Sequence, residues 1–173
     1  MGFIAKTAEV DDLSVISGRA LINENASVVS SKISENAVIS GSAVIERSDI
    51  RGAAKVSGSA WVVDSEIIDD AIIEGKVIIT GCVIYDEAHI YDEALLYHIT
   101  VEGASVFGNA KLRNNMNRSQ TEIVIYDSCK FGGDANFNGL HNLRDFVNKY
   151  GEDKAKGADG GKYIHLSNIW DMG

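Results

Sequence analysis

The chain has 173 residues, 45% of them hydrophobic and 24% charged, with a formal net charge of −9. That length suits one domain, or one domain with a small appendage, and the apolar fraction is enough for a sizeable core. The acidity is uneven: residues 1–112 carry 17 acids against 8 bases and residues 113–173 carry 8 against 8. A phosphate backbone is repelled by such a surface, which excludes general nucleic-acid binding.

The opening "MGFIAKT" lacks the charged region and apolar core of a signal peptide, and no run of 18 apolar residues follows, so a cytoplasmic protein with no membrane segment is expected. Gly2 follows Met1, but Lys6 stands where a myristoylation motif needs Ser or Thr.

A repeat then takes over. Steps of 17 residues from Ile16 reach Ile33, Ile50, Ile67, Ile84 and Val101; a second column reads Ile22, Ile39, Val56, Ile73, Ile90, and a third Val28, Ile45, Val62, Ile79, Leu96. Small residues stand two positions earlier: Ala20, Ala37, Ala54, Ala71 and Ala88 before the second column, Ala26, Ala43, Ala60, Val77 and Ala94 before the third, Ser14, Ser31, Ser48, Ser65, Cys82 and Ile99 before the first. After Val101 one residue drops out and the phase resumes at Ala104, Val106, Ala110 and Leu112. A small and a branched residue two apart share one face of a strand, and no 3.6-residue stripe survives to support a helix. Turn-forming residues align between the segments, Gly18, Glu35, Gly52, Asp69, Asp86 and Gly103 in one column and Gly41, Gly58, Gly75 and Asp92 in another. The pattern predicts an all-β, parallel, triangular β-helix of 17-residue coils over residues 1–112, about six coils stacked at about 4.8 Å.

Within this repeat "VIYDEAHIYDEALLYH", Val83 to His98, is one coil, and Asp86, Glu87, Asp92 and Glu93 fall at its corners, where a carboxylate can be solvated. The outward column Val44, Trp61, Ile78, Leu95, with Ile68, Ile72, Tyr85, Tyr91 and Tyr97, puts apolar surface outside, which points to a homo-oligomer, dimer or trimer, or to cover by the C-terminal segment.

Past Leu112 comes a polar connector, "RNNMNRSQ", then strand-like "TEIVIY". "GLHNLRDFVNKYG" reads as a short amphipathic helix, and "YIHLSNIWDM" as a strand or a further helical segment. Residues 113–173 are therefore expected to form a small α+β appendage that caps the solenoid or offers Phe146, Tyr163 and Trp170 to a partner. Cys82 and Cys129 form no CxxC pair, so reduced thiols are expected. "GADGGKY" departs from a phosphate loop at Lys156 and Tyr163.

"SGSAVIERSDIRGAAKVSGSAWVVDSEIIDDAIIEG" resembles the hexapeptide-repeat β-helix superfamily, in which an aliphatic residue is followed four positions later by a small one, as Ile39 is by Ala43 and Val56 by Ala60. "SGSAWV" and "FGNAKL" are similar to the G-x-A-x-V units of acetyltransferase-like proteins and phage-encoded solenoids. The resemblance covers about residues 8–112 and implies a left-handed coil. It also implies a range of activities, from acyltransferases and carbonic-anhydrase-like proteins to scaffolds. The carbonic-anhydrase-like members place three histidines on neighbouring coils; here the histidines are His89, His98, His141 and His165, with only the first two in the solenoid, and no metal is expected.

Two functions are expected. The first is a non-catalytic scaffold or binding module without cofactor, presenting Tyr85, Tyr91, Tyr97, Trp61, Trp170, Asp86 and Asp92 to a protein partner or small ligand; the resemblance extends this to a phage accessory or anti-defence role. The second is an acyl-CoA-dependent acyltransferase with His98 or His89 as base in a cleft between subunits, lined by Tyr91 or Tyr97. Acyltransferases of this type extrude a long loop, and the unbroken phase from Ile16 to Val101 leaves no room for one.

Overall fold

A computed structural model describes residues 2–114 and, beyond them, strands at 122–126, 130–131, 136–138 and 163–166; among those later strands only the Ile125 side chain is described. The helix expected near residues 140–150, with Phe146, and also Cys129, His141 and Trp170, lie outside the described residues.

Short strands stack into three parallel eight-stranded sheets. The first sheet runs through Phe3–Ile4, Leu21–Ile22, Val38–Ile39, Lys55–Val56, Ile72–Ile73, His89–Ile90, Ser105–Val106 and Lys130–Phe131. The second takes Glu9–Val10, Ser27–Val29, Val44–Glu46, Trp61–Val63, Ile78–Thr80, Leu95–Tyr97, Lys111–Arg113 and Asn136–Asn138. The third takes Val15–Ile16, Lys32–Ile33, Asp49–Ile50, Glu66–Ile67, Val83–Tyr85, Thr100–Glu102, Glu122–Tyr126 and Tyr163–Leu166. The described residues thus form an all-β parallel solenoid, and the ladder register sets each branched residue against its counterpart one coil on: Ile39 against Val56 against Ile73, Ile45 against Val62 against Ile79, Ile50 against Ile67 against Ile84.

These columns are the core, with every one of those residues at 0% exposure. Full burial of such a side chain is worth about 1.5–3 kcal/mol relative to exposure. The alanine columns beside them are buried too, and their carbonyls accept the amides of the coil below, Phe3 to Ala20 at 2.8 Å, Leu21 to Ala37 at 2.9 Å and Val38 to Ala54 at 2.9 Å.

Corners between strands need a left-handed residue, and three columns supply it. Gly18, Glu35, Gly52, Asp69, Asp86 and Gly103 have φ of +58° to +76°; Glu24, Gly41, Gly58, Gly75, Asp92 and Gly108 have +55° to +93°; Ser30, Arg47, Asp64, Gly81 and His98 have +46° to +63°. At three of these corners a carboxylate side chain holds the next coil: Gly41 N–H donates to Glu24 at 2.5 Å, Gly52 N–H to Glu35 at 3.1 Å and Gly108 N–H to Asp92 at 3.1 Å.

Beside the third column of corners runs a ladder of hydroxyls. The amides of Ser31, Ser48, Ser65 and Cys82 each donate at 3.1 Å to the side-chain oxygen of Ser14, Ser31, Ser48 and Ser65, one coil back. The hydroxyls of Ser31, Ser48 and Ser65 in turn donate at 2.7 Å to the carbonyls of Val29, Glu46 and Val63. Cys82 continues the ladder with sulfur, receiving the Ile99 amide at 3.5 Å.

The solenoid extends further at both ends than the 17-residue columns indicate. Phe3–Ile4 and Glu9–Val10 pair with residues 18 positions on, because one extra residue lies between Val10 and Val15. At that corner the Asp11 carboxylate accepts the Ser30 amide at 3.0 and 3.1 Å, in the place taken in later coils by a backbone carbonyl, such as Val29 O for Arg47 and Glu46 O for Asp64. After Val101 the offset falls to 16, with Ile90 on Val106 and Leu96 on Leu112. Beyond residue 112, Glu122–Tyr126 joins the third sheet through Val101 on Ile125, and Tyr163–Leu166 stacks on it as a strand.

Candidate functional site

The corner between the first and second sheets carries glycine at three successive coils, Gly41, Gly58 and Gly75. A Cβ on Gly58 would come within 2.6 Å of Gly75 O, and one on Gly75 within 2.5 Å of Asp92 O, so only glycine lets these coils approach. Without side chains, this stretch of corner forms the floor of a shallow cleft of about 300 Å³ lined by Ser57, Gly58, Glu74, Gly75, Tyr91 and Asp92.

His89 lies beside this cleft on the outward face of the first sheet, and its Nε2 is 2.8 Å from Glu74 Oε1. The carboxylate accepts, so Nε2 donates to it and the contact fixes the orientation of the ring. The imidazole lies 4.4 Å from the Tyr91 ring, tilted by 36°, and Tyr91 stacks on Phe107 at 5.1 Å and 7°. Burial pushes the Tyr91 phenol above its ordinary value, and the nearby charges of Asp92 and Glu74 add to the effect. The arrangement can present a flat aromatic wall, two carboxylates and an oriented imidazole to one small molecule.

The other candidate residues do not converge on this cleft. His98 occupies a left-handed corner between the second and third sheets, its ring over Gly81, with Nδ1 3.4 Å from Gly81 O and the Tyr97 ring 4.0 Å away. Trp61 and Tyr97 face outward on the second sheet, 47% and 38% exposed. Tyr85, on the third, donates its hydroxyl to Glu102 at 2.9 Å. Asp86 is a corner residue at φ +58°. Of the residues singled out in the sequence, the structure brings together His89, Tyr91 and Asp92. Glu74 and Phe107 complete the group, and sequence reasoning missed both. The signal for Glu74 was available as a diagonal: one coil back and two residues on from His89 is a spacing of 15.

A second, larger concavity of about 570 Å³ runs across the third sheet and its corner, between Leu13, Val15, Lys32, Arg47, Asp64 and Glu66. Its charges are paired with opposite ones, although the Asp49 Oδ1 is buried without a hydrogen-bond partner. Arg47 holds Asp64 in a two-point contact, Nε–Oδ1 at 2.7 Å and Nη2–Oδ2 at 3.0 Å, and this keeps the Asp64 carboxyl below the usual carboxylate range. Asp49 sits 3.6 Å from both Lys32 and Arg51. Among the described residues no group of three or more His, Cys, Asp or Glu side chains could hold a metal ion, and no helix is long and apolar enough to cross a membrane.

No protein-family model and no curated protein matches the sequence. Among solved structures, the UDP-N-acetylglucosamine acyltransferase from Campylobacter jejuni is similar, with 12% identity over 87% of this chain and 79% of that one, at a TM-score of 0.33.

Proposed function

We propose that the protein is a non-catalytic binding module whose first-sheet cleft takes a small, polar, neutral or cationic ligand. The observation that carries this reading is the cleft itself: a glycine floor, the Tyr91 ring backed by Phe107, and Glu74 and Asp92 at the edge. An aromatic face beside carboxylates suits the apolar face and hydroxyls of a sugar, or an ammonium group, both recognised by stacking and charge-assisted hydrogen bonds. It disfavours an anion, because the lining holds two carboxylates and neither Lys nor Arg. Titrating neutral sugars and alkylammonium compounds against the intact protein tests this, with heat of binding as the readout. Saturable binding lost in Tyr91→Ala supports the reading, and binding unchanged in that variant removes the cleft from it.

A second reading, acyl transfer from acyl-coenzyme A, draws on one specific observation, the 2.8 Å His89–Glu74 contact, which orients an imidazole as a general base would need. The coenzyme's phosphates would require cations that the cleft lining does not supply. Release of free thiol from acetyl-coenzyme A with sugar or amine acceptors, abolished in a folded His89→Ala protein, would establish this reading over the first.

A further inference from the structure

The three outer faces differ in character. The third sheet is crossed by ion pairs, including Lys32–Asp49 at 3.6 Å and Arg51–Glu66 at 3.7 Å. The first carries the cleft. The second is apolar in the middle and charged at its ends: its first outward column reads, in ladder register, Glu9, Ser27, Val44, Trp61, Ile78, Leu95, Lys111. The neighbouring column reads Val29, Glu46, Val63, Thr80, Tyr97, Arg113. Trp61, Ile78, Val29 and Tyr97 are 47%, 41%, 39% and 38% exposed, four of the eight large apolar side chains most open to solvent among the described residues. The indole N–H of Trp61 is bonded to Glu46 within the chain at 3.3 Å, which fixes the ring.

We infer that this face pairs with a second copy of itself, the two solenoid axes running antiparallel and Trp61 on the two-fold axis. Trp61 lies on the fourth of the sheet's eight strands, at the middle of the run of seven from Glu9 to Lys111, with the strand at 136–138 one step beyond Lys111. A two-fold axis along the strands through Trp61 therefore sets Glu9 opposite the copy's Lys111, Ser27 opposite Leu95, Val44 opposite Ile78 and Val29 opposite Tyr97. Glu9, Lys111 and Arg113 are all exposed. With the axes parallel, the acidic end of each face meets an acidic end, and Lys111 and Arg113 meet their own copies. Charge at the ends thus selects the antiparallel arrangement, while the centre supplies the apolar contact. The strand at 136–138 overhangs the pair at one end of each copy, and the first-sheet cleft stays open. The seven paired strands span about 30 Å and each outward pair of residues about 7–10 Å, a footprint of about 200–300 Å² per copy, below that of standard specific interfaces, so the association is expected to be weak and strongly concentration-dependent.

Sedimentation equilibrium on the full chain tests the pairing, with circular dichroism to confirm that each variant is folded. Dimer is expected, weakened at least tenfold by Glu9→Lys and by Lys111→Glu alone and restored when both are combined. Trp61→Cys is expected to cross-link to its own copy under mild oxidation. A monomer at all concentrations, a trimer, or a dimer indifferent to Glu9→Lys overturns the inference; so does a double charge reversal that fails to restore what each single one removes.

Discussion

The hydroxyl of Ser48 accepts the amide of Ser65, one coil on, at 3.1 Å and donates to the carbonyl of Glu46 at 2.7 Å. One oxygen thereby satisfies two backbone groups at a buried corner, and Ser48 is only 5% exposed. Ser48→Ala leaves the Ser65 amide without a partner and takes from the Glu46 carbonyl one of its two donors, the other being the Asp64 amide, and is expected to cost about 1–3 kcal/mol. Ser59→Ala, at an exposed position, should stay within about 0.5 kcal/mol. Urea midpoints of the two variants make the comparison, and equal losses would remove the ladder as a stabilising element.

Two glycines at left-handed corners should answer differently to a methyl group. Gly103 has φ +59° and nothing within 4 Å of the added Cβ, so Gly103→Ala should cost about 1–2 kcal/mol, the conformational penalty alone. Gly75 has φ +93° and the Asp92 carbonyl 2.5 Å away, so Gly75→Ala adds a backbone collision and is expected to be several times worse. Thermal denaturation of both proteins decides; a Gly75 variant no worse than the Gly103 one contradicts the close approach of those coils.

Acid should unfold the protein partly through Asp11 and Asp64. The Ser14 hydroxyl lowers the Asp11 carboxyl most, burial opposes it, and the Ser30 amide adds to the lowering, while the Arg47 hydrogen bonds lower Asp64. A depressed folded-state value means that the stabilisation is fully present above the unfolded value near 4 and is lost as pH falls through the folded one. Asp11→Asn keeps an acceptor for the Ser30 amide but cannot titrate. Its melting temperature is expected to fall less steeply than that of the unaltered protein between pH 5 and pH 2, and parallel slopes would speak against the assignment.

The repeat was legible because one residue type serves one place in every coil. A column such as Ile39, Val56, Ile73 announces both burial and register, and the dropped residue after Val101 appears in the structure as the 16-residue offset of Ile90 on Val106. The first coil escaped the 17-residue count because one residue is inserted near Asp11, although Gly2 before Ile4 and Ala8 before Val10 repeat the small-then-branched pair. The cleft was only half legible. Tyr91 and His89 were visible as outward residues, but their meeting with Glu74 depends on side chains reaching diagonally between coils, which a column count does not register. Asp92 could be read as a corner residue; that it also holds the Gly108 amide follows from the left-handed geometry there.

The first coil leans on a neighbour on one side only. Ile4 faces inward like Ile22 above it, yet is 43% exposed where Ile22 is 0%, and Phe3, Leu13 and Val15 at the same end are 61%, 76% and 55% exposed. In a stack where each layer is secured by those next to it, opening spreads from a terminus and the cost of releasing a layer rises toward the middle. Amide protons should therefore exchange with solvent in a gradient along the axis, fastest near Phe3 and Val10 and slowest around Val56 and Ile73, so that the molecule unzips from its first turn.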